Sequence, residues 1–138
     1  MTQSAFEFVR ENVALTPFHQ WLLPQVLAVD EQAGSVTINL PVRPEFYRLP
    51  GRPEIHGAIV AAIVDISGHA AIAAKVLHSV ATVDMRVDFL RLAAGSELRA
   101  VATVVKLGRT IGVVDVRVTD DQKRLVAIGR AAYVTTSV

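Results

Sequence analysis

Asp65 is the only acid between Glu54 and Asp84, and it stands in the middle of a long run of alanine, isoleucine and valine. Burying a carboxylate is costly unless donors satisfy it, so its neighbours matter. Eight positions earlier Gly57 follows His56, and four positions later comes His69. If this stretch is a helix, His69 shares the face of Asp65, and Gly57 sits near the start, where backbone N–H groups lack partners and the dipole end is positive. A glycine there lets a carbonyl approach closely. Donors aimed at a developing oxyanion, with a carboxylate that attacks or activates water, are the equipment of acyl-transfer chemistry. The plainer reading of Asp65 is a buried acid satisfied by Thr82 or a backbone donor.

Helix geometry constrains the arrangement. Eight residues at 1.5 Å each separate Gly57 from Asp65 by about 12 Å, too far to act on one carbonyl from the same helix. Carboxylate and donor must then come from different subunits. A two-fold dimer with antiparallel helices brings Gly57 of one chain near Asp65 of the other, twice over.

The remaining histidines and basic residues carry less. His69 either hydrogen-bonds Asp65 or contributes to a metal site; two ligands are too few for a metal, and a core or interface histidine is the simpler reading. His19 and His78 read as exposed or lid residues. Arg91, Lys106 and Arg109 fall near strand ends or turns, suited either to phosphate groups or to ordinary solvation. Phe18, Trp21 and Leu23 line a pocket or fill core.

These residues need elements to position them. Ser4–Asn12 reads as a short helix capped by Ser4, with Phe6, Phe8 and Val9 as its apolar side. Pro17–Pro24 (PFHQWLLP) is proline-bounded and too short for an independent element, hence a lid or core plug. Val26–Asp30 and Ser35–Val42 alternate about the turn Glu31-Gln32-Ala33-Gly34, which makes a hairpin. Arg43–Glu54 holds Pro44, Pro50, Pro53 and Gly51, a composition that blocks regular structure and forms a loop. The helix runs from about His56 to Leu77. Ala81–Leu90 then alternates, with Val83, Met85, Val87 and Phe89 on one face and Thr82, Asp84, Arg86 and Asp88 on the other. Glu97–Lys106, Ile111–Thr119 and Arg124–Thr135 complete the strands, and their short turns favour antiparallel pairing. The expected class is α+β, a curved antiparallel sheet wrapped around one long central helix.

The chain has 138 residues, enough for one domain with a real core and with residues 1–24 as helix and lid. It is 51% hydrophobic and 20% charged, which suggests that some apolar surface meets another subunit. A net charge of +1 gives no basic stripe for nucleic acid. The absence of cysteine excludes disulfides and thiolate chemistry. The start, MTQSAFEFVREN, has no basic end followed by an apolar run, so a cytoplasmic location is expected. The apolar stretch Gly57–Ala74 is long enough to test as a membrane span. Asp65 and His69 interrupt its middle and basic anchors are missing from its ends, so a helix surrounded by protein is expected instead.

The layout of two strands, a long helix and four strands is that of the hotdog fold. The segment Ile55-His56-Gly57-Ala58 with an acid nine positions after the histidine resembles the His-Gly-Gly motif of hotdog thioesterases of the phenylacetate-pathway (PaaI-like) type. The likeness continues through Thr82–Arg91, Lys106-Leu107-Gly108-Arg109 and Gly129–Val134, and covers roughly residues 25 to 136. The resemblance implies an acyl-CoA thioesterase, at least a homodimer and by expectation a homotetramer, with no cofactor or metal beyond the coenzyme A of its substrate. Asp65 would be nucleophile or general base, the Gly57 amide would polarise the carbonyl, His56 would orient the loop, and Thr82 would align with a hydroxyl that holds the attacking water in some relatives. Arg91, Lys106, Arg109, Ala58 and His69 are the expected substrate contacts. Two departures stand out: Ala58 replaces the second glycine, and the loop before His56 offers Tyr47, Arg48, Arg52 and Glu54 where many relatives have asparagine. A non-catalytic acyl-CoA-binding module and a hotdog dehydratase or hydratase are the alternatives.

Overall fold

The computed structural model of the protein describes residues 2–138. Its elements are α1 (Ala5–Leu15), α2 (Pro17–Leu22), β1 (Gln25–Asp30), β2 (Ser35–Pro41), α3 (Gly57–Val76), β3 (Ala81–Phe89), β4 (Glu97–Leu107), β5 (Ile111–Asp120) and β6 (Leu125–Val134). The strands form one antiparallel sheet in the order β1-β2-β4-β5-β6-β3. It curls around α3, which packs against β2 through β6. This is the hotdog arrangement expected from the sequence.

The sheet buries α3 so thoroughly that Ile63, Val64, Ile66, Ile72 and the alanines between them are inaccessible. Each branched side chain removed from water contributes about 1.5–3 kcal/mol before the cost of ordering it. Facing them are Ile38 and Leu40 of β2, Leu98 and Ala100 of β4, Val114, Val116 and Val118 of β5, and Ala127 and Ala131 of β6. Small residues set the spacing: a Cβ on Gly129 would come 2.5 Å from Val64 Cγ1. By length and composition α3 would cross a membrane, but here it is the core of the sheet.

Four local outcomes differ from the sequence reading. Pro17–Leu22 is a real helix: proline opens it at its first position, and Leu23 ends it in the left-handed region at φ 64°. Buried Leu22 pins it, although Phe18, Trp21 and Leu23 stay about half exposed. Helix α1 runs on to Leu15 and buries Ala5, Val9 and Val13, while Phe6 and Phe8 are only half-buried. Its Ser4–Glu7 capping box forms as a serine three residues before a glutamate allows.

Within Arg43–Glu54, Pro44–Phe46 makes a 3-10 turn and Tyr47 bridges Ile55. The reason is packing: Phe46 is fully buried, and Arg43 lies over both the Phe46 and Trp21 rings at 4.2 and 4.6 Å. The Arg43 guanidinium also donates to the Trp21 and Leu22 carbonyls at the end of α2.

The fourth difference concerns β3. Strict alternation puts Thr82 on the face opposite Met85 and Val87. A bulge between Thr82 and Asp84 makes Val83 the extra residue, so Thr82 pairs with Tyr133 and Met85 with Ala131. Thr82, Met85 and Val87 therefore share the face towards α3, and Val83 is 56% exposed.

Candidate functional site

Asp65 lies halfway along α3, where the bulged start of β3 and the end of β6 close over it. Thr82 Oγ1 donates to Asp65 Oδ1 at 2.8 Å, and the Tyr133 hydroxyl reaches both the Asp65 carbonyl at 2.9 Å and Oδ1 at 3.2 Å. Two hydroxyls thus hold one carboxylate oxygen. Oδ2 has no protein donor among the described residues, and the side chain keeps partial access to solvent. Burial, then the negative charge of Asp65, pushes the Tyr133 phenol well above its ordinary pKa, so it remains a donor. Gly68 makes room for this ring, since a Cβ there would overlap the Tyr133 hydroxyl.

His69, one turn after Asp65, turns its Nε2 to the Val80 carbonyl at 2.9 Å and packs edge-on against Tyr133. Burial lowers its pKa, so it is held neutral. Asp65 and His69 open on a cavity of about 240 Å³ shared with Asn12, Thr16, His19, Ile66 and Ser79. Helices α1 and α2 therefore form its outer wall.

Gly57 faces elsewhere. As first residue of α3 it lines a second cavity of about 360 Å³ with Arg48, Ile55, Val60, Phe89, Arg91 and neighbours of β3. His56 caps the helix: its Nδ1 accepts from the Ala58 amide at 2.9 Å, and its carbonyl accepts from Ile59 and Val60. The His56 amide is itself tied to the Phe46 carbonyl at 2.8 Å. Of the four amides that open α3, only that of Gly57 has no acceptor among the described residues. A side chain at this position would meet the Phe89 ring, 3.4 Å from a built Cβ.

The structure gathers the sequence-selected residues into two groups. Asp65, Thr82 and His69 meet at mid-helix, while His56, Gly57 and Arg91 meet at its start. Ala58 is exposed with its amide taken by His56. Lys106 and Arg109, on the β4–β5 hairpin, line neither cavity. Sequence reasoning gave Tyr133 and Asn12 no role, read His19 only as an exposed or lid residue, and named Arg48 only as part of the loop before His56. Tyr133 left one trace, a polar tip on the apolar face of its strand; His19 left none pointing to the site, because only the fold of α2 turns it inward.

A curved antiparallel sheet around one long helix, with an unengaged amide at the helix start and a hydroxyl-held carboxylate at its middle, defines a hotdog-fold protein. A model of the thioesterase superfamily matches residues 54–127, just over half of the chain. A Halobacterium salinarum protein named as an esterase is 32% identical over 115 residues, 75% of this chain and 76% of that one. A crystal structure of a thioesterase-superfamily protein is 37% identical with a TM-score of 0.88, covering 94% of this chain and 97% of that one. The Escherichia coli PaaI protein of the phenylacetic acid degradation operon shares the fold at 22% identity, with a TM-score of 0.84 over 96% of this chain and 94% of its own. The chain belongs to the thioesterase superfamily and is a thioester hydrolase.

Proposed function

We propose that the substrate is an acyl-CoA and that the working site is shared between two copies of the chain. The observation that carries this reading is that the unengaged Gly57 amide and the Asp65 carboxylate open on different cavities of one chain. The cavity that holds the free backbone amide at the positive end of α3 has no carboxylate or histidine in its lining, and the cavity that holds the carboxylate has no part of the helix start. Strand β3 is the outer strand beside β6, and its exposed Val83 and Phe89, followed by exposed Leu90 and Leu92, are a surface of the kind a second copy covers. A two-fold axis beside it would run the α3 helices antiparallel and set Gly57 against the partner's carboxylate.

In the composite site the thioester carbonyl accepts from the Gly57 amide, and the positive end of the α3 dipole adds to the stabilisation of the oxyanion. Asp65, with Oδ1 fixed by Thr82 and Tyr133, presents Oδ2 as base towards water or as nucleophile towards carbon. The C–S bond then breaks and coenzyme A leaves as thiolate. Arg91 and Arg48 flank the Gly57 cavity and suit the phosphates of the leaving group. His56 acts as the cap that shapes the donor.

Free-thiol release from short, medium and aromatic acyl-CoAs tests this directly. Asp65→Asn should lose 10²-fold or more in kcat on the best of them, a loss on the order of that for removing a base. Undiminished turnover in Asp65→Asn would remove Asp65 from the chemistry, and tight acyl-CoA binding without turnover in the wild type would make the chain a binding module.

A further inference from the structure

Two histidines line the Asp65 cavity, and their surroundings separate them. His69 also donates to a carbonyl, from Nε2 to that of Val80, which leaves Nδ1 an acceptor, but its ring packs edge-on against Tyr133 and its burial opposes taking up a proton. His19 lines the same cavity from α2. Its Nδ1 lies 3.0 Å from the Val13 carbonyl in the last turn of α1. A carbonyl only accepts, so this contact places the proton on Nδ1 and leaves Nε2 as a bare acceptor in the neutral ring. The tether also fixes the direction in which the ring points.

The carboxylate has a matching need. When Asp65 takes a proton from water, the proton must leave before the next turnover. Thr82 and Tyr133 are donors to Oδ1 and cannot accept it, since the Tyr133 phenol is held protonated. The other polar side chains of the cavity wall, Asn12, Thr16 and Ser79, are neutral and do not titrate. His19 is half-buried and reaches both the cavity and the outside. Its neighbours in the cavity that titrate are Asp65 and His69 alone.

We propose that His19 is the proton relay of the Asp65 site, an inference that rests on Asp65 acting as general base. Water loses a proton to Asp65 Oδ2 as its oxygen bonds the acyl carbon, and the C–S bond breaks with its electron pair on sulfur. The proton passes from Asp65 to His19 Nε2, directly or along water in the cavity, and from His19 to solvent. The departing thiolate takes one proton from solvent, so the account closes as thioester plus water giving acid plus thiol. His19 belongs to α2, outside the residues 54–127 matched by the family model.

The test uses the full-length protein and its best acyl-CoA. His19→Asn keeps a donor where Nδ1 meets Val13 but has no titrating nitrogen, and His19→Ala opens space for an added base. Both should lower kcat about tenfold, at the low end of a proton-transfer contribution, with KM and Tm close to wild type. Imidazole and its methyl derivatives should restore His19→Ala, with a rate that follows the pKa of the added base, and should leave the wild type unchanged. Full kcat in His19→Asn, or no rescue of His19→Ala by any imidazole, overturns the relay. Asp65→Asn measured alongside separates the cases: if it stays active, the general-base reading has failed; if it is inactive while His19→Asn is not, only the relay has.

Discussion

The Tyr133 hydroxyl sits 2.9 Å from the carbonyl and 3.2 Å from the carboxylate of the same residue, Asp65, and so ties the end of β6 to both the backbone and the side chain of α3. Tyr133→Phe removes this donor while keeping the buried ring. Losing a donor frees Asp65 Oδ1 to move out of its fixed orientation, so kcat should fall. Stability should fall by about 1 kcal/mol, the usual worth of one such bond. Steady-state kinetics and a urea titration check both.

Gly68→Ala attacks the same contact from the helix. Its new Cβ would overlap the Tyr133 hydroxyl in a close-packed interior, so the ring must shift away from Asp65. A loss of about 1–3 kcal/mol is expected, with activity reduced at least as far as in Tyr133→Phe. Thermal unfolding of the single and double variants should show strongly non-additive effects.

Mixing two inactive variants tests the shared site. A Gly57→Val chain keeps Asp65, and an Asp65→Asn chain keeps Gly57. Half of randomly assorted dimers carry one chain of each kind and rebuild one of two sites, so about a quarter of wild-type activity should return. No recovery after subunit exchange, with mixed dimers confirmed by mass spectrometry, would place both groups in one chain.

His69 should make stability depend on pH. An unfolded histidine titrates near 6.5, and burial holds His69 lower in the folded protein. Below about 6.5 the unfolded chain takes up a proton that the folded chain refuses. The stability present above that value is therefore lost as pH falls towards the folded pKa, and levels off beneath it. Urea midpoints from pH 7.5 down to 5 should fall more steeply in the wild type than in His69→Gln.

Arg43→Met should loosen α2. The substitution keeps apolar bulk between the Trp21 and Phe46 rings but removes the charge over them and the two bonds to the end of the helix. A partly exposed cation over aromatic rings, with its hydrogen bonds to the helix end, is worth about 1–2 kcal/mol. Amide exchange should therefore speed up in α2 while the sheet stays protected.

Much of this molecule could be read from residue order alone. The apolar run broken by one acid, the histidine–glycine step before it and the alternation of the later strands fix the hotdog plan, because hydrophobic period and turn chemistry are local properties. The 12 Å estimate between Gly57 and Asp65 follows from helix rise alone. Thr82 was one candidate partner for Asp65 from the residues alone, but how distant segments meet needed the tertiary structure. Thr82 meets Asp65 only because one extra residue at Val83 reverses the face of the strand's first turn, and no periodicity announces a bulge. Tyr133 reaches the carboxylate across 68 positions. Helix α2 looked too short to stand alone, and it stands because Leu22 is buried and Arg43 holds its end, a stability supplied by partners that its own six residues do not encode.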